Sequence, residues 1–142
     1  MDLKAYTIKR DGWFGKRLIK FDNPSLATLE SFLNGNITDK ETFEYYLTKL
    51  YKLKNNWSDL DSIVKADYRD YWDEEILRLN NATGDWFTFG GSEDICIYIS
   101  NENKKVYMEN EILDNEPVVE MLLEEFINVI EQWKAIQLGV KK

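Results

Sequence analysis

Carboxylates are the functional groups this chain carries in excess: 26 Asp and Glu against 18 Lys and Arg, with no histidine anywhere. Lacking imidazole, it lacks the usual general base, the Ser-His and Cys-His nucleophile pairs and most zinc ligand sets. Carboxylates alone can still hold a metal or act as an acid/base pair. Asp59 and Asp61 flank Leu60, and Asp70, Asp73, Glu74 and Glu75 stand close together. Neither group has the glycine-containing Asp-x-Asp-x-Asp-Gly loop of a calcium site, so a solvated helix face is the better reading and no metal is expected. Gly84, Gly90 and Gly91 are not followed by the Lys-Ser/Thr of a phosphate-binding loop and read as turns. Cys96, the single cysteine, sits between isoleucines, a setting that keeps a thiol protonated and inert. The expectation is a protein with no catalytic residue and no cofactor. A carboxylate-dependent enzyme is the alternative, and it predicts a deep pocket holding at least two Asp or Glu with raised pKa values.

The same acids are interleaved with aromatics. Asp59, Asp61, Asp67, Tyr68, Asp70, Tyr71, Trp72, Asp73, Glu74 and, further on, Trp86 form the candidate partner-binding set. Trp and Tyr bring large contact area with little loss of side-chain entropy, while carboxylates steer and register a basic partner. Each aromatic singly fits a core position better, because a domain of this size buries most of its aromatic area. Aromatics at 68, 71 and 72 cannot all face inward from one helix, which turns the segment as a whole toward an interface. A second candidate surface is an N-terminal hairpin presenting Trp13 and Phe14 near its turn.

These groups need a scaffold, and hydrophobic periodicity supplies one. Leu3 to Arg10 alternates apolar and polar residues, meets Asp11-Gly12 and resumes through Leu18 to Phe21, the pattern of a β-hairpin. Asn23-Pro24 caps a short helix carrying Leu26, Leu29, Phe32 and Leu33 up to Gly35. Thr38-Asp39-Lys40-Glu41 reads as a capping box, followed by Phe43, Tyr46, Leu47, Leu50 and Leu53 on one helical face. Ser58 or Asp59 could cap a helix through Val64, and Asp67 a second through Leu79. Asp85–Phe89, Asp94–Ser100 and Lys104–Met108 read as strands whose short connections allow only antiparallel neighbours. Ile95–Ile99 is apolar on both faces and is therefore the central strand. A last helix runs from about Pro117 to Leu138, with Val118, Leu122, Phe126, Val129, Ile130 and Trp133 on its apolar stripe and Gly139 beyond its end.

Grouped strands and grouped helices argue for an α+β fold in a single domain, residues 1–142. An antiparallel sheet, made of the N-terminal hairpin plus a three-stranded meander, would pack against a helical middle segment and a long C-terminal helix.

Charge is segregated along the chain. Residues 1–56 carry ten basic and seven acidic side chains, net +3, whereas residues 57–133 carry five basic and nineteen acidic, net −14. Such a field repels nucleic-acid phosphates and anionic membranes and attracts basic proteins. The expectation is no direct nucleic-acid binding, no membrane association, a cytoplasmic location in keeping with a single cysteine, and a monomer or weak dimer when free.

Chain length, acidity, the aromatic-acidic middle and the closing passage from Lys104-Lys105-Val106-Tyr107-Met108 to Glu124-Glu125-Phe126-Ile127-Asn128-Val129-Ile130-Glu131-Gln132-Trp133 carry a family likeness. The chain resembles the small acidic immunity proteins of bacterial polymorphic toxin and contact-dependent growth inhibition systems. That resemblance implies tight binding to a cognate toxin domain, often a nuclease with a basic cleft, by carboxylates standing in for phosphates. An acidic nucleic-acid mimic acting on host or phage enzymes is the alternative within the same electrostatics.

Overall fold

The computed structural model describes residues 1–8, 17–35, 37, 39–55, 63–65, 85–90, 95–100, 104–110 and 117–139, with the backbone alone described at 7, 8, 63–65, 85–90 and 96. It is a mixed α+β structure with two antiparallel sheets and a long C-terminal helix.

Among the described residues, strands β1 (Thr7–Ile8) and β2 (Leu18–Ile19) pair over two residues apiece as a sheet of their own, and do not join the meander in one sheet as the sequence pattern implies. The longer strand expected from Leu3 does not form. Leu3–Tyr6 is a 3-10 turn, because Asp2 Oδ1 accepts from the Lys4 N–H at 3.1 Å and tightens the backbone locally. The expected turn around Trp13 and Phe14 lies outside the described residues.

A 3-10 turn over Pro24–Leu26 leads into α1 (Ala27–Gly35). Its cap is the expected one: Asn23 Oδ1 accepts from the Ser25 N–H at 3.0 Å, with proline next in the chain. Helix α2 (Lys40–Asn55) starts from Asp39 rather than Thr38, since Asp39 Oδ1 accepts from the Thr42 N–H at 2.8 Å. Its buried residues are Phe43, Tyr46, Leu47, Leu50 and Leu53, the face the spacing predicts.

The larger sheet holds β3 (Ile63–Lys65), β4 (Asp85–Gly90), β5 (Ile95–Ser100), β6 (Lys105–Asn110) and β7 (Val119–Leu122) in that order, all antiparallel. The three expected strands are its centre, and β5 is the middle one, buried on both faces at Ile97, Tyr98, Ile99 and Ser100. Two corrections concern its margins. Ile63–Lys65 is a strand, not a helix end, because β-branched Ile63 and Val64 can extend the sheet beside β4. Val119–Leu122 is also a strand. Pro117 suits the start of a strand as well as of a helix, and pairing with Lys105–Met108 decides between them.

Helix α3 (Leu123–Leu138) therefore begins later than the sequence pattern implies. No side chain caps it; instead the Leu123 N–H donates to the Lys104 carbonyl at 2.8 Å. Leu122, expected on the helix stripe, is an outward strand residue 54% exposed. Gly139 closes α3 at φ 62°, the left-handed C-cap that glycine adopts without penalty.

One apolar cluster joins α1, α2, α3 and one face of the larger sheet. At its centre Trp133, fully buried, donates its indole N–H to the carbonyls of Leu33 at 2.9 Å and Ile37 at 3.0 Å. The C-terminal end of α1 is thus capped by an indole from α3. Further bonds pin β2 beneath the helices. Arg17 N–H donates to Gln137 Oε1, and Gln137 Nε2 returns a bond to the Arg17 carbonyl. Asn34 makes the same reciprocal pair with Ile19 at 2.8 and 3.0 Å, and Glu30 accepts from the Phe21 N–H.

Candidate partner-binding surface

Of the residues the sequence singles out for binding, Asp59, Asp61, Asp67, Tyr68, Asp70, Tyr71, Trp72, Asp73 and Glu74 lie outside the described residues, as does the helix expected from Asp67. Trp86 is placed by its backbone alone, in β4 between Val64 of β3 and Ser100 of β5. β3 and β4 form one margin of the larger sheet. Cys96 lies on the central strand, its backbone opposite Gly90 and Glu109.

The described side chains converge at the opposite margin. There the end of α2, the start of α3, Lys104 ahead of β6 and strand β7 meet around a cleft of about 330 Å³ lined by Lys54, Lys104, Leu122, Leu123 and Glu124. Two ion pairs cross it or border it: Lys54 to Glu124 at 3.7 Å and Lys105 Nζ to Glu120 Oε2 at 2.6 Å. The second bond holds the Lys105 ammonium above its ordinary pKa, because the adjacent carboxylate favours the charged form. Lys104 adopts φ 55°, a left-handed backbone unusual outside glycine and asparagine, just ahead of β6. Exposed Leu122 forms the apolar wall.

Helix α2 presents Tyr45 and Tyr51 to solvent at 53% and 39% exposure. Lys49 lies 5.6 Å over the Tyr45 ring, and the Tyr51 hydroxyl donates to Glu131 Oε2 at 2.8 Å, which raises the phenol pKa. A third feature, about 400 Å³, is lined by Asp2, Lys4, Gln132, Ala135 and Ile136. Among the described residues no group of three or more His, Cys, Asp or Glu is arranged around a common metal position. None of their helices is long and apolar enough to cross a membrane.

The β7 corner has an apolar wall, paired charges around it and a sheet margin beside it, a combination suited to seating a partner's side chain. No family model, characterised protein or solved structure matches this chain. The corner itself escaped the sequence reading because it depends on β7 being a strand. The usable signal was the outward alternation of Glu120 and Leu122 between Val119 and Met121, masked by the adjoining helical stripe.

Proposed function

We propose that this protein binds and neutralises a basic protein partner, in the manner of an immunity protein holding a cognate toxin domain. The observation that carries the reading is the segregation of charge, net −14 over residues 57–133 with Trp and Tyr interleaved. That acidic stretch supplies every strand of the larger sheet and most of α3, whereas the net-positive N-terminal stretch supplies β1, β2, α1 and α2. A field of that sign steers a basic protein toward the chain. The acidic residues from Asp59 to Glu74, with Tyr68 and Trp72 as anchors, are the proposed contact set, and a complex of ordinary size buries on the order of 1,600 Å² in total.

Affinity capture by the tagged protein from its native host, washed at low and then high salt, tests this. The expected result is one stoichiometric basic protein that survives high salt and binds at least tenfold more weakly, about 1.4 kcal/mol, when Tyr68, Asp70, Trp72, Asp73 and Glu74 are all alanine. Unchanged affinity in that variant places the interface elsewhere, and no partner at either salt removes the reading.

A further inference from the structure

Strand β7 is a margin of the larger sheet in the order β3-β4-β5-β6-β7. The bond from Leu123 N–H to the Lys104 carbonyl fixes the phase of its ladder with β6. In an antiparallel ladder, residues bond inward and outward alternately, so Val119 and Met121 bond to β6 while the backbone N–H and carbonyl of Glu120 and the N–H of Leu122 point away. Among the described residues these outward groups take no hydrogen-bond partner. The strand is well anchored otherwise, with Val119 and Met121 buried in the core and Thr28 Oγ1 donating to the Pro117 carbonyl at 2.8 Å. Among the described residues it is an anchored strand whose outer edge has no partner, with a cleft at its end.

We infer that the outer edge of β7 is a docking site for an extended, basic segment of a partner protein, added as a sixth strand with a side chain seated in the Leu122–Leu123 cleft. Main-chain bonds to Glu120 and Leu122 would supply affinity, and the cleft would supply selectivity. Charge selects the occupant. Residues 106–133 carry eight carboxylates and no basic side chain; Lys54 and Lys104 line the cleft, Lys54 paired there with Glu124, and Lys105 beside it is paired with Glu120. A second copy fits less well. Each copy has a net charge of −8, so two copies repel one another. The inference rests on the proposed binding of a basic protein for its choice of occupant.

The probe is a synthetic peptide of about ten alternating Lys and Val residues, the upper length of an ordinary strand, with an alternating Glu and Val peptide as control. Amide hydrogen exchange in the whole protein is followed at Glu120 and Leu122. The Lys-Val peptide is expected to slow both by about tenfold or more, and the Glu-Val peptide to leave them unchanged. Glu120→Pro removes an outward N–H without removing a ladder bond; it should keep the fold and abolish slowing at Leu122, while Glu120→Gln should retain it. Unchanged exchange at millimolar Lys-Val peptide overturns the inference. So does equal slowing by both peptides, or a concentration-dependent dimer that protects Glu120 on its own. The assay needs no natural partner, so its failure beside a successful affinity capture removes the β7 site and leaves partner binding standing.

Discussion

Strands β2 and β7 are both short and both lie at the margin of a sheet, yet their outward backbone groups meet different fates. On and beside β2 the outward residues are Arg17, Ile19 and Phe21, since Lys20 N–H bonds the other way to the Tyr6 carbonyl. Each is answered by a side chain: Gln137 at Arg17, Asn34 at Ile19, Glu30 at Phe21. An amide side chain carries a donor and an acceptor together and so reproduces what a neighbouring strand offers. Along β7 no described side chain plays that part at Glu120. An edge closed by its own helices cannot recruit a foreign strand, and an edge left open can. The contrast marks β2 as scaffold and β7 as surface.

The clasp on β2 requires α1 and α3 to stay side by side, which makes Trp133 the place to break it. Trp133→Ala should cost about 3–5 kcal/mol, read as a large fall in the urea midpoint together with loss of protection at Ile19. Next in size is Asn34→Ala, which strands the N–H and carbonyl of buried Ile19 and should cost about 1–3 kcal/mol, with exchange at Ile19 rising most. Gln137→Ala removes bonds of an exposed pair and should cost less than about 1 kcal/mol, loosening Arg17 alone.

A pH experiment separates the clasp from the packing beneath it. Tyr46, buried against Phe32 with ring centroids 5.6 Å apart, has its phenol pKa pushed up to about 12 by desolvation and, secondarily, by Tyr45. A pKa raised in the folded state contributes stability that is complete below pH 10 and is lost as pH rises from 10 through 12. The urea midpoint should fall across that window, and Tyr46→Phe should remove this component of the fall. The amides of Asn34 and Gln137 do not titrate there, so protection at Ile19 relative to the global unfolding limit should hold. Smallest of all should be the stability effect of Glu120→Pro, under about 0.5 kcal/mol, because it touches the open edge and not a closed one.

How much of this was legible in the sequence depends on the range of the interactions involved. The apolar face of α2 was readable at Phe43, Tyr46, Leu47, Leu50 and Leu53 because helical spacing is local, and β5 was readable as central because both of its faces are apolar. Leu3–Tyr6, Ile63–Lys65 and Val119–Leu122 were misread. In the first, a local Asp2 bond outweighs alternation; in the other two, partners far along the chain override a plausible helix pattern. The clasp was invisible, since Asn34 and Gln137 meet residues 15 and 120 positions away. For the candidate site, the acid and aromatic content of residues 59–74 is legible as composition, while only the backbone of Trp86 is placed by the fold. The β7 edge became legible only once its register with β6 was known.

Amide hydrogen exchange of the free, monomeric protein tests the contrast most directly, comparing Ile19 and Phe21 with Glu120 in one sample. The account predicts strong protection at Ile19 and Phe21 and exchange at Glu120 close to that of an unstructured peptide. Protection at Glu120 equal to that at Ile19 would contradict it, showing that the β7 edge is already closed by the chain itself.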